Sequence, residues 1–457
     1  MLPPGLRGTA PFALAAAFAV LAFPGSGRAD DWPQWMGPRR DGIWRETGIV
    51  DTLPAGGPPV RWRVPVNSGY CGPAVAAGRL FLVDRVAGKM AERVRGDRSI
   101  PQVPGNERIA CLDAATGRLL WERTNDCPYR IAYPAGPRAT PLVDADLVFT
   151  LGAMGDLRCH EVESGRPVWA RRFVEEFRAE PPAWGWSAHP LLEGDRLFCT
   201  VGGEGSAVVA FDRRTGRELW RALTATEIGY APPVLAEVGG RRQLIVWHPD
   251  ALAGLDPATG QVLWTQPYPV GGKPQRPEVA IAAPQLAGNR LFVTSFYQGA
   301  LLLELGADTP QPRVVWNRRS TKQSEFDQGL HTVMGTPVIR GDCIYGFCGF
   351  GELRCLDLAT GDRRWSSSAV VGAEKAFFGN AFMVENAGRW FFFNDQGELV
   401  LGRMNPDGYV ETGRARLVEP LETTRGRTVV WCHPAFARRS IFVHNGRELV
   451  CASLAAG

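Results

Sequence analysis

Asp113-Ala114-Ala115-Thr116-Gly117-Arg118-Leu119-Leu120-Trp121 is the stretch around which the chain is organised. It returns as Asp212 to Trp220, Asp256 to Trp264 and Asp357 to Trp365, always with Thr at the fourth position, Gly at the fifth and Trp at the ninth. A softened copy, Glu161-Val162-Glu163-Ser164-Gly165-Arg166-Pro167-Val168-Trp169, keeps the Gly and the Trp. Each copy follows a short apolar run and has the chemistry of a tight hairpin: the Asp and Thr accept hydrogen bonds from turn amides, and the Gly supplies a positive φ. The Trp then opens the returning strand, where a large ring can cover a neighbouring sheet. Internal repetition of this kind overrides the domain number that length alone suggests.

A second mark precedes each phrase: a Pro or small residue, an apolar strand, a Gly-containing turn and another strand. Pro73 to Leu82, Pro190 to Phe198 and Pro284 to Phe292 show it, and Pro141, Pro233, Pro337 and Pro434 mark further copies. Each unit is therefore four strands over roughly 40–50 residues, the period of a propeller blade. Residues Asn380 to Leu417 fill the wide gap after Pro337 as a unit that lacks both its Pro and its Trp. The last unit, Trp431 to Leu454, has only three strands, and Val60-Arg61-Trp62-Arg63-Val64-Pro65 matches the missing Trp-bearing fourth. Pairing the two would close a ring and leave no open sheet edge at the seam. The expectation is all-β: an eight-bladed propeller of four-stranded antiparallel blades over residues 60–457. Seven blades is the alternative, but it leaves 380–417 unexplained.

The hairpin phrase resembles the repeat of the PQQ-like, quinoprotein-type β-propeller family. The lead-in Asp31-Trp32-Pro33-Gln34-Trp35-Met36-Gly37-Pro38 is similar to the opening of its exported bacterial members. That family includes PQQ-dependent alcohol and sugar dehydrogenases as well as non-enzymatic BamB-type assembly factors of the outer membrane. The resemblance spans nearly all of the chain after residue 30, and the motif is specific for fold rather than for activity.

Residues Pro11 to Phe23 are an Ala-rich apolar run behind Arg7, too short to span a bilayer, with small residues at Gly27 and Ala29. They read as a secretory signal peptide occupying 1–29, followed by an irregular extension over 30–59 strapped to the body by its aromatic rings. No cysteine occurs before Cys71, so a lipid anchor is not expected. The protein is expected to be exported, periplasmic or secreted, soluble and monomeric. The formal charge of +4 falls to +2 without Arg7 and Arg28. So small a balance points neither to nucleic acid nor to anionic membrane.

Loop lengths locate the functional face. Turns within the first and last hairpins of each blade are short, whereas the links Arg123 to Pro137, Arg172 to Ser187 and Arg318 to Met334 are long, and an insertion, Asp84 to Glu107, splits the first blade. In a four-stranded meander the long connections emerge together, leaving one face elaborated and the other plain. The residues just ahead of each innermost strand should ring the channel mouth on the elaborated face. They are Tyr70, Arg138, Trp184, Trp186, His189, Tyr230, His331, Lys375, Trp431 and His433. Such a lining suits an anionic or planar ligand, or a peptide segment.

Catalytic signatures fare poorly. None of the ten cysteines are adjacent, as they typically are in quinoprotein alcohol dehydrogenases, and no haem attachment motif, nucleophile elbow or P-loop occurs. Cys111, Cys159, Cys355 and Cys451 share one register with Ala210 and Gly254, as small buried residues do. His189, His331 and His433 are spread around the ring, so no metal site is expected. Cys71 and Cys432 hold the same register in the first and last blades and are a candidate disulfide across the closure, if the inter-blade spacing permits one. The leading expectation is a non-enzymatic scaffold that binds a protein or cell-envelope component through its loop-rich face. The alternatives are an oxidoreductase of alcohols or sugars binding PQQ with Ca²⁺, and a carbohydrate-binding module.

Overall fold

A computed structural model describes residues 1, 31–88, 102–306, 311–320, 322, 324–372 and 375–457. The expected signal peptide lies outside these residues. Eight four-stranded antiparallel sheets make up the body. Blade 1 comprises Ala74–Ala76, Arg79–Ala87, Gly105–Asp113 and Leu119–Asp126 in spatial order. Six blades repeat that order, the seventh being Ala381–Asn386, Arg389–Asn394, Glu398–Asn405 and Gly408–Arg416. In the eighth, Ala435–Ala437, Ser440–His444 and Glu448–Ser453 are completed by Val60–Pro65, whose Trp62 pairs with Cys451. The ring thus closes as the sequence predicts.

The repeated phrase works as two halves of a contact between blades. Asp113 Oδ1 accepts hydrogen bonds from the amides of Ala115 and Thr116 and from the Thr116 hydroxyl, at 2.8–3.0 Å. The same geometry holds at Asp212. Gly117 sits at φ +73, and a Cβ there would lie 2.9 Å from the ring of Trp62 in the preceding blade. Trp62 donates its Nε1–H to the Ala114 carbonyl (3.2 Å). Around the ring Trp121 donates to Val162 O, Trp169 to Arg213 O, Trp220 to Pro257 O and Trp316 to Leu358 O. In each case the acceptor is the second residue of the next blade's phrase, and that blade's Gly lies under the ring.

The register of small residues follows from the same contact. Cys111, Cys159, Ala210, Gly254, Cys355 and Cys451 are the cross-strand partners of Trp121, Trp169, Trp220, Trp264, Trp365 and Trp62. Each lets an indole lie across its own sheet. Trp264 departs from the series: it collapses over Gly254, the position without a Cβ, and bonds Gln243 Oε1 at 2.7 Å in its own blade.

One feature differs from the sequence reading and a second is made specific. The blade 1 insertion is narrower, because Asp84–Ala87 and Gly105–Arg108 continue the ladder of its second and third strands. Within that extension the fully buried Asp84 carboxylate takes a forked ion pair from Arg108 (2.9 and 2.5 Å). The N-terminal extension is held to the body by its aromatic rings, and its anchor points lie inside the ring. Trp32 pairs with Val75, Pro33 O accepts the Val143 amide, Arg40 donates to Pro190 O and Ile43 bridges Glu385. Those partners lie on or beside the innermost strands of blades 1, 2, 3 and 7, so residues 32–43 fold into the central channel. Trp44 then wedges between Phe391 of blade 7 and Phe436 of blade 8, with ring centroids 5.5 and 5.2 Å away.

Candidate functional site

A cavity of about 380 Å³ lies where the inter-blade links converge on the channel axis. Tyr70, Arg138, Trp184, His189, Tyr230, Trp431 and His433 line it, seven of the ten residues the register predicts. The links that carry them are stitched to one another. The amides of Tyr70 and Cys71 both bond Pro137 O, Tyr230 N–H bonds Ala280 O, and Thr140 N–H bonds His189 Nδ1 (3.0 Å). Each link leaves its blade and reaches across to the next, which brings one to three side chains per link to the cavity.

The other three predicted residues sit elsewhere, for identifiable reasons. Trp186 follows Gly185, whose φ of +69 turns the chain inward. The Trp186 ring is buried against Phe173 between blades 2 and 3, with its Nε1–H on Val201 O. His331 is also buried; its Nδ1 lies 2.8 Å from Phe296 O, its Nε2 accepts the Ser320 amide (3.1 Å), and its ring packs on Phe326. Lys375 is exposed outside the cavity, donating to Ser324 O and lying 4.4 Å over the Phe350 ring. Cys71 and Cys432 carry free thiols. The Cys71 thiol donates to Val83 O (2.8 Å), and the Cys432 sulfur lies 3.2 Å from His444 Nε2.

The packing behind the two lining imidazoles, His189 and His433, was not legible from the repeat. Trp35, from the inserted extension, stacks on His189 (4.7 Å between centroids, 11° between planes) and donates its Nε1–H to His433 Nδ1 (3.3 Å). Arg40 lies 5.3 Å from the Trp35 ring and clamps the carbonyls of His189 and Pro190. Phe382 covers the other side of His433 at 3.9 Å. Burial holds His433 near a pKa of about 3, and burial together with His433 and Arg40 pulls His189 well down. Both imidazoles are therefore neutral at physiological pH, and the Arg40 guanidinium, lowered by burial only to about 9, is the charged group packed beside them. The only signal of this in the sequence was the Trp-rich composition of residues 31–44, which carries no period.

The walls add Tyr133, Tyr297, Val279, Ile281, Phe378 and Arg425. Trp184 packs on Tyr230 (5.1 Å), and Tyr133 meets Trp431 edge-on (5.7 Å). Arg138 lies over the Tyr70 ring (5.1 Å), its guanidinium donating to the carbonyls of Ala132, Tyr133 and Gly136. Burial works against its charge and lowers its pKa. At the rim, the hairpin Glu422–Thr424 and Arg427–Val429 is anchored by a Thr424–Tyr133 hydroxyl contact and by an Arg427–Asp395 ion pair (3.0 Å). Its turn residue Arg425 reaches over Phe377 and Phe378. No Asp or Glu is among the described residues lining the cavity, and no group of three His, Cys, Asp or Glu side chains among them is arranged to hold a metal. The arrangement can grip a planar or anionic group between rings and guanidiniums.

Comparison with known proteins places this architecture. The outer membrane protein assembly factor BamB of Shewanella oneidensis is 26% identical over 58% of this chain and 65% of its own length. That of Yersinia pestis is 23% identical over 56% of this chain and 63% of its own. The chain thus spans less than two thirds of the curated relatives it matches. In fold, BamB from Moraxella catarrhalis superposes with a TM-score of 0.56 at 12% identity, covering 86% of this chain and 99% of that one. The quinohemoprotein alcohol dehydrogenase of Comamonas testosteroni gives 0.58 at 11%, covering 93% and 81%. Both structural likenesses speak to the propeller alone. A family model described as outer membrane protein assembly factor BamB matches residues 105–369, from the third strand of blade 1 to the end of blade 6, and the chain belongs to that family.

Proposed function

We propose that the protein is an exported, non-catalytic scaffold of the cell envelope that binds a protein or envelope component through its loop-rich face. The observation that carries the reading is the cavity on that face, built by side chains from successive links, in a chain of the BamB family. Assembly of the outer membrane is what the relatives' names describe, and it supplies the compartment and the kind of partner proposed here. The four-stranded blades with short hairpins leave the opposite face plain, so binding is confined to one side. Photo-crosslinking residues placed at Phe377 and Arg425 test this in envelope extract against the same residue at Arg217 on the plain face. Adducts formed only from the first two positions support the reading, and equal labelling from Arg217 overturns it.

PQQ with Ca²⁺ is the second reading, favoured by one observation: the cavity walls are planar rings accompanied by two guanidiniums, Arg138 and Arg425. The carboxylates a bound Ca²⁺ would use do not line it, so no catalytic step is derived. Titration with PQQ and Ca²⁺, followed by cofactor absorbance and dye-linked alcohol oxidation, decides that reading. A flat titration removes it. A carbohydrate ligand would instead show as selective retention on a glycan array.

A further inference from the structure

We propose that the cavity rim formed by blades 5 to 8 docks an acidic segment of a partner protein, which inserts an aromatic side chain past Phe378 and sets a neighbouring carboxylate against Arg425. This rests on the loop-rich face being the binding face and names the partner chemistry it selects. The site is a run of rings that starts inside the cavity and ends in solvent. Tyr297 and Phe378 line the cavity. Phe296 joins them, its ring centroid 5.1 Å from Tyr297 and 5.4 Å from Phe378. Phe377 continues the run outward, 4.4 Å from Phe378 and 5.5 Å from Phe350.

Phe377 is 37% exposed, and it is the one aromatic among the exposed large apolar side chains of the described residues. A ring left in water at the mouth of an apolar cavity marks a surface that a partner covers. The backbone is bent to present the cluster: Phe378 holds φ +60, and Phe326, packed on Phe296 and Phe350, holds φ +45. Bulky L-residues rarely take this left-handed region, and such strain gathers where side chains are held for function. A volume of about 380 Å³ accommodates an aromatic anchor. A small ligand inside the cavity would leave Phe377 uncovered, because that ring is not part of the lining; a chain segment covers both.

The free charge around these rings is positive. The Arg425 guanidinium lies 5.6 and 5.9 Å from the rings of Phe377 and Phe378, and the Lys375 ammonium lies 4.4 Å from the ring of Phe350. Lys375 donates to Ser324 O, and neither it nor Arg425 forms an ion pair among the described residues. Glu325 is taken by Lys322 (3.7 Å), Asp395 by Arg427 (3.0 Å) and Glu422 by the Tyr70 hydroxyl beside Arg138. Complementarity therefore selects a negative segment. Arg425 lines the cavity and also touches the outer rings, so one guanidinium serves an anchor ring inside and a carboxylate next to it in the partner chain.

Dye-labelled pentapeptides, acetylated and amidated, titrated with the full chain and followed by fluorescence anisotropy test both requirements. The probes are Gly-Asp-Trp-Asp-Gly, its counterparts with Asn or Lys in place of Asp, and Gly-Asp-Ala-Asp-Gly. The acidic Trp peptide should bind about tenfold more tightly than the Ala peptide. It should bind about two- to fivefold more tightly than the Asn peptide, with the Lys peptide weaker still. Arg425→Gln should remove the preference for Asp over Asn and leave the affinity of the Asn peptide nearly unchanged, whereas Phe377→Ala should weaken both peptides about threefold. Both side chains are exposed, so folded variants are expected, confirmed by an unchanged circular dichroism spectrum. An Ala peptide that binds as well as the Trp peptide, an Asn peptide that binds as well as the acidic one, or a preference that survives Arg425→Gln overturns the proposal. Free indole-3-acetate binding as tightly as the acidic Trp peptide also overturns it, since a small aromatic acid would then be the occupant. So does failure of every peptide while Phe377 and Arg425 crosslink a partner, an outcome that leaves the scaffold reading standing.

Discussion

Replacing Trp62 by Ala tests the claim that one indole per junction fastens each blade to the next. Trp62 is 9% exposed, packs 5.9 Å from the Phe442 ring, covers Gly117 and donates to Ala114 O. Truncating a buried Trp costs about 3–5 kcal/mol, the lost hydrogen bond contributing about 1 kcal/mol of it. Gly117→Ala attacks the same contact from the other side. An L-residue at φ +73 costs about 1–2 kcal/mol, and a Cβ 2.9 Å from the ring forces a shift costing about 1–3 kcal/mol more. With Trp62 absent the second cost falls, leaving only the Val64 contact at 3.0 Å, so the double variant should be more stable than the sum of the singles by about 1–2 kcal/mol. Urea unfolding followed by circular dichroism measures all four species. A Trp62→Ala cost below about 1 kcal/mol, or additivity within about 0.5 kcal/mol, refutes the interlock.

Asp84→Ala should destabilise by about 3–5 kcal/mol, because it strips the buried counter-ion from Arg108; an effect under about 1 kcal/mol in the same urea assay would mean that Glu122 alone satisfies the guanidinium. His433 has a folded pKa of about 3, below its unfolded value, so the unfolded chain binds a proton that the folded chain refuses and stability falls as pH drops from about 6.5 towards 3. His433→Gln should flatten the stability profile between pH 6 and 4 by up to about 1.4 kcal/mol per pH unit; parallel profiles contradict it. All ten cysteines are buried, and burial pushes the Cys71 thiol up to about 12, so a thiol reagent at pH 8 should find almost none in the native protein and ten after denaturation without reductant. A denatured count of eight would instead establish one disulfide, with Cys71 and Cys432 the pair to map first.

The parts of the molecule that the sequence disclosed are those whose physics is local and repeated. An Asp that caps its own turn three residues on, and a Gly that must take a positive φ, leave the same mark wherever the turn recurs, so blade number, strand order and even the donated strand at Val60–Pro65 could be read. The site was readable only as far as it inherits that register. Tyr70, Arg138, Tyr230 and Trp431 reach the axis because each precedes an innermost strand, whereas Trp186 and His331 share the register and are turned away by contacts with Phe173 and Ser320 that no repeat encodes.

The packing behind His189 and His433 obeys a different rule. Trp35 meets His433 at a separation of 398 residues, and nothing near Trp35 in sequence announces that partner. Yet this unrepeated contact decides what the site is. An open bore would leave His189 and His433 in water, where an imidazole near its ordinary pKa could carry charge and compete for an anion. With Trp35 seated over them both rings stay neutral, and the positive charge of the lining rests on Arg138 and Arg425. Trp35→Ala should therefore raise the His433 pKa towards its unfolded value, measurable by NMR titration of its ring protons. A pKa unchanged in that variant would show that blades 7 and 8 alone keep the imidazole dry, and the extension would lose its part in shaping the site.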